Sequence, residues 1–121
     1  MGTADFYSVV EGLDDVVDSL VTDTTELGAT DEGELLCFLV LRTGVDLPDV
    51  EPSLRTLIRS GLSPRHVPDR FVVVDAIPRT LNGKKCEVPV KRIIAGVAAE
   101  KAVSVATLQN PDALNAFVGF H

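Results

Sequence analysis

Phe6, Val9, Val10 and Leu13 recur at i, i+3, i+4 and i+7, so the chain opens with an amphipathic helix expected over residues 5–11, capped by Thr3. Residues 16–21 read as a strand that carries Asp18 and Ser19, and the polar stretch 22–33, with two glycines, reads as a loop between paired strands. Leu35 to Leu41 is continuously apolar, the pattern of a strand buried on both faces. Leu54, Leu57, Ile58 and Leu62 predict a second amphipathic helix within residues 49–61, which Gly61 ends. Pro64 and Pro68 then forbid regular structure.

Residues 71–74 are rich in β-branched side chains and predict a third strand, followed by a turn-rich loop over 78–85. Pro89 suits the first turn of a short helix with Val90, Ile93 and Ile94 inward and Gly96 at its end. Asn110 and Pro111 are expected to cap a last helix with Leu114, Phe117 and Val118 on one side. The expected class is α+β, a small three-stranded antiparallel or mixed sheet flanked by helices.

At 121 residues the chain is long enough for one core, so a single compact domain is expected. Its longest apolar run is far short of the ~20 residues of a membrane span. Asp5 and Glu11 interrupt what would be a signal peptide's apolar region. Cys37 and Cys86 are far apart, with Cys37 inside an apolar run, so neither a disulfide framework nor a zinc site is suggested and a reducing cytoplasm fits. His66 and His121 lie far from each other and from any cysteine cluster, which leaves no metal site.

The net charge of −7 argues against nucleic-acid partners, and the few phenylalanines fall mostly at core positions rather than on a stacking platform. That average conceals an asymmetry. Between Arg55 and Arg92 nine basic side chains face three acidic ones, a local balance of +6. Either a solvated basic face or a site for a small polyanion such as a nucleotide or coenzyme would account for it.

Within that stretch, Ala76-Ile77-Pro78-Arg79-Thr80-Leu81-Asn82-Gly83-Lys84-Lys85 concentrates a proline, an Asn-Gly pair and three cations between a buried strand and a helix start. Loops on rigid supports are where function concentrates. The same residues also describe a plain tight turn with solvated lysines beyond it.

Pro78-Arg79-Thr80-Leu81-Asn82-Gly83-Lys84 resembles the C-terminal signature loop of the adenylate-forming enzymes, which include acyl-CoA synthetases, peptide-synthetase adenylation domains and luciferases. Gly2-Thr3-Ala4-Asp5 is similar to the segment directly after their hinge. Within the family, the blocks Leu62-Ser63-Pro64-Arg65-His66-Val67-Pro68-Asp69, Gly83-Lys84-Lys85-Cys86-Glu87-Val88-Pro89-Val90-Lys91-Arg92 and Asn110-Pro111-Asp112-Ala113-Leu114 are most similar to acetoacetyl-CoA synthetases. The resemblance covers nearly the whole chain.

It implies that residues 1–121 are the small C-terminal lid domain of an AMP-forming acid:CoA ligase, whose large N-terminal ATP- and acid-binding domain is absent here. The implied reaction takes acetoacetate, ATP with magnesium and coenzyme A to acetoacetyl-CoA, AMP and pyrophosphate. The fragment alone would hold no cofactor and be inactive. Lys84 matches the family's adenylation lysine, Gly83 lets the backbone approach closely, and Arg59 falls where an arginine lies near the coenzyme A phosphates. Lys85 departs from the aliphatic residue that acetyl-specific relatives often carry, which leaves open which lysine matters. Arg59 also suits a merely solvent-facing position on its helix. The implied partners are the N-terminal domain, ATP or AMP, coenzyme A and a lysine acetyltransferase acting on Lys84. The alternative is a freestanding noncatalytic module of the same fold that binds a partner protein or a nucleotide.

Overall fold

The computed structural model describes residues 3–24 and 34–120. Helix α1 (Thr3–Val10) leads into strand β1 (Val16–Asp23), and β2 (Leu35–Leu41) returns antiparallel to it. Helix α2 (Leu47–Gly61) then crosses over to β3 (Arg70–Val73), which pairs parallel to β2. The sheet order is β1-β2-β3, so the most apolar strand is the central one. This is the expected α+β class with a mixed sheet. Helices α3 (Glu87–Ile94) and α4 (Ala99–Ala102) follow, then 3-10 turns at Val105–Thr107 and Pro111–Ala116.

Alternation along β2 divides the core into two layers. Cys37 and Leu39 face α1 and α2, where Phe6, Val10, Val50, Leu54, Ile58 and Phe71 complete one cluster. Leu36 and Phe38 face the other side, where Ile77, Val90, Ile93, Leu108, Leu114 and Phe117 complete the second. On β1 the pairing register shifts between Val16 and Asp18. The shift leaves Val16 in the first cluster while placing Asp18 in step with Leu20, which belongs to the second. Asp18 therefore reaches the side on which the signature loop lies.

Helix α2 begins two residues earlier than its periodicity suggests, because Pro48 fits its first turn and the Asp49 carboxylate accepts the Asp46 backbone N–H at 3.4 Å. Helix α1 likewise begins at Thr3 itself rather than after it. Strand β1 runs two residues further than expected, to Asp23; the rest of the polar stretch, residues 25–33, lies outside the described residues. Between the prolines at 64 and 68 one 3-10 turn does form, Pro64–His66.

The larger correction concerns the tail. The expected last helix is a 3-10 turn, and the Asn110 side chain does not cap it. Phe117 instead anchors the segment, its ring 4.7 Å from that of Phe38 and nearly perpendicular to it.

Candidate functional site

Beyond β3 the buried Ile77 and Pro78 carry the chain to a short hairpin over residues 79–85. Gly83 N–H donates to the Thr80 carbonyl, and Thr80 N–H donates to the Lys84 carbonyl, each at 2.8 Å. Gly83 has φ +86°, the left-handed glycine that follows a tight turn in hairpins of this kind. A Cβ there would meet no described atom of this chain within 4 Å, so within the domain itself the glycine answers to the turn's conformation. The Thr80 hydroxyl accepts the Lys84 N–H at 3.1 Å. Lys84 is thus fixed at its backbone and exposed at its side chain, whose ammonium has no ion pair among the described residues.

The Lys85 side chain is the opposite. Its side chain is 13% exposed and its ammonium pairs with Glu11, approaches Asp18 at 3.6 Å, and lies 3.3 Å above the centre of the Tyr7 ring. Glu11 also accepts the Ser19 hydroxyl at 2.6 Å. Tyr7 donates its phenol proton to Glu87 at 2.5 Å and accepts the Val21 N–H at 3.1 Å, covering part of the sheet edge at β1. Burial, and donation to the Glu87 carboxylate, hold the Tyr7 phenol well above the usual tyrosine range, while the Val21 N–H opposes them. The phenol is accordingly a neutral donor.

Arg79 joins the hairpin to this network. Its Nε and Nη2 grip Asp18 at 3.1 and 2.7 Å, while Nη1 donates to the Gly83 carbonyl at 2.6 Å. The Asp18 hydrogen bonds push the Arg79 guanidinium pKa further up, partly offset by desolvation. On the opposite flank the tail fastens the hairpin: Leu81 N–H donates to the Thr107 carbonyl and Gln109 N–H to the Arg79 carbonyl, both at 2.9 Å. The Asn110 amide accepts the Arg79 N–H and donates to the Ile77 carbonyl, also both at 2.9 Å.

Of the expected site residues, the structure brings Gly83 and Lys84 together on this hairpin. Arg59 lies elsewhere, exposed in the last turn of α2, a helix that packs on α1 and β3 in the other layer. The sequence singles out no individual role for Arg79 within the basic stretch and does not announce Asn110 as a partner of the loop. Its one available signal was an Asn preceding a proline, which suits a helix cap equally well.

Cys37 and Cys86 are buried and free. Burial raises both thiols, opposed at Cys37 by Lys85 and at Cys86 by Arg79, so neither is a ready nucleophile. Among the described residues no three His, Cys, Asp or Glu side chains gather as metal ligands.

The model of the AMP-binding enzyme C-terminal domain matches residues 8–84, from α1 through the hairpin lysine. An acetoacetyl-CoA synthetase of Caenorhabditis elegans is 39% identical over 99% of this chain, and one of Macaca fascicularis 38% over 96%. The chain spans 17% of the length of each. Among solved structures, an acetoacetyl-CoA synthetase from Streptomyces lividans superposes on 97% of the chain with a TM-score of 0.85 at 39% identity, again over 17% of its own length. Fold, hairpin and alignment agree: the chain belongs to the AMP-binding enzyme C-terminal domain family.

Proposed function

We propose that this chain works as the mobile C-terminal domain of a cytoplasmic AMP-forming ligase that joins acetoacetate to coenzyme A, and that Lys84 is its contribution to adenylation. The observation that carries the reading is an exposed ammonium, without an ion pair among the described residues, on a hairpin fastened from both sides. When the acid's carboxylate attacks the α-phosphorus of ATP and pyrophosphate leaves, negative charge is shared by the acid oxygen and the phosphoryl oxygens. An ammonium delivered between them stabilises that arrangement without first having to break a pairing of its own. In the second half-reaction the coenzyme A thiol attacks the acyl carbon and AMP leaves. The separation of Arg59 and Lys84 onto different layers supports a domain that turns one face and then the other toward the N-terminal domain. Arg59 would meet coenzyme A phosphates in the second orientation, and Gly83 would shape the backbone beside the nucleotide in the first.

The experiment is Lys84→Ala in the full-length ligase. Adenylation, read as pyrophosphate release from acetoacetate and magnesium-ATP, should fall by about 3 to 4 kcal/mol in barrier terms, a hundredfold to a thousandfold. Thioester formation from presynthesised acyl-adenylate and coenzyme A should survive. Acetylation of Lys84 by a lysine acetyltransferase should reproduce the defect, since it removes the same charge. The isolated domain, lacking the ATP and acid sites, should release no pyrophosphate. Equal loss in both half-reactions, or in neither, would sink the assignment of Lys84.

A further inference from the structure

The Asn110 side chain makes two hydrogen bonds, and both go to the segment that carries the hairpin: Oδ1 accepts from Arg79 N–H and Nδ2 donates to Ile77 C=O, each at 2.9 Å. The amide carries its acceptor and its donor on separate atoms, and this pair of partners permits one orientation of it. Its neighbours reinforce the contact. Thr107 accepts from Leu81, Gln109 donates to Arg79, and Thr80 and Leu108 form an isolated bridge. Leu108, Leu114 and Phe117 then bury this strap against Leu36 and Phe38 of the sheet. The matched family region ends at residue 84, so every one of these strap residues lies beyond it.

We infer that Asn110 is a positioning residue for Lys84, through which the tail holds the adenylation hairpin at a fixed height above the sheet. The inference rests on Lys84 being the adenylation lysine. An exposed side chain with four rotatable bonds has no positional information of its own. Whatever placement Lys84 brings to the transition state must come from the hairpin backbone, which Thr80 ties to Lys84 directly, which Arg79 holds on one flank through the Gly83 carbonyl, and which Asn110 holds on the other through Arg79 N–H and the Ile77 carbonyl.

Two substitutions in the full-length ligase test this. Asn110→Ala removes both hydrogen bonds. Asn110→Asp retains the acceptor for Arg79 and the shape of the side chain but turns an oxygen toward the Ile77 carbonyl, and it serves alone if the alanine variant fails to fold. Adenylation kcat should fall about tenfold to a hundredfold in both, with KM for ATP and acetoacetate unchanged. Thioester formation from presynthesised acyl-adenylate should stay within about twofold of the parent. Backbone amides of residues 79–84 should exchange with deuterium faster than in the parent. Parental adenylation in both variants, loss confined to KM, equal loss in both half-reactions, or unaltered exchange would overturn the inference. Lys84→Ala measured alongside separates the two readings. No loss there removes the lysine assignment and this role together; loss there without loss at Asn110 removes the positioning role alone.

Discussion

Lys84 and Lys85 are adjacent in the chain, yet one is exposed, with no ion pair among the described residues, and the other is enclosed by Tyr7, Glu11 and Asp18. Consecutive residues of an extended segment point to opposite sides, so the hairpin necessarily separates them. The sequence alone could not say which lysine was free, because what encloses Lys85 comes from α1, the residue just after it and β1, as far back in the chain as Tyr7. The separation gives opposite mutational signatures. Lys85→Met keeps the length and loses the charge, leaving Glu11 half-buried with the Ser19 hydroxyl as its one remaining side-chain partner among the described residues. Chemical denaturation should show a loss of about 1 to 3 kcal/mol. Lys84→Met should change stability by no more than about 0.5 kcal/mol, as expected at an exposed position without partners. A reversed order would mean that the ion pairs around Lys85 contribute little.

At the scale of elements, the strands and main helices were legible because each buries one stripe whose period survives in the sequence, as in Val50, Leu54 and Ile58 of α2. Segments held by side chain to backbone contacts were not. Neither the helix at Ala99–Ala102 nor the turn at Val105–Thr107 has a buried residue, so no hydrophobic stripe announces them. Asn110 satisfies a loop remote in sequence instead of the turn that it starts. Nor does any residue pattern declare that β3 runs parallel to β2; that follows from the crossover through α2. The tail's hold on the sheet is concentrated in Phe117, fully buried against Phe38. Phe117→Ala should therefore destabilise the domain by about 3 to 5 kcal/mol in thermal or chemical unfolding. A cost below about 1 kcal/mol would show that the tail closes over the gap.

For the molecule as a whole, the basic stretch proves less available than its +6 balance suggests. Arg55 pairs with Glu51 and stacks on Phe71, Arg70 pairs with Glu34 and stacks on Phe120, and Arg79 and Lys85 serve the inner network. Within that stretch, Arg59, Arg65, Lys84 and Arg92 are the exposed cations with no ion pair among the described residues. A continuous polyanion surface is thereby reduced to separate points, two of which, Arg59 and Lys84, stand on opposite layers. In the full-length ligase Arg59→Ala should raise KM for coenzyme A about tenfold, the loss of one charge-assisted phosphate contact. Acid-dependent pyrophosphate exchange should be nearly unchanged. An unaltered KM for coenzyme A would leave Arg59 a solvated side chain on α2.

The fastenings of the hairpin also set an order of assembly. Tyr7 reaches Glu87 across 80 residues, Glu11 reaches Lys85 across 74, Asp18 reaches Arg79 across 61, and Asn110 reaches back 33 to Ile77. Contacts that close such long loops incur their entropy before they return any stabilisation, so they form late compared with the antiparallel pair β1-β2. The hairpin is consequently the part of the domain secured last. A chain emerging from the ribosome holds its sheet before it holds its lysine, and one that stops short of residue 107 keeps the lysine but loses the strap that fixes it.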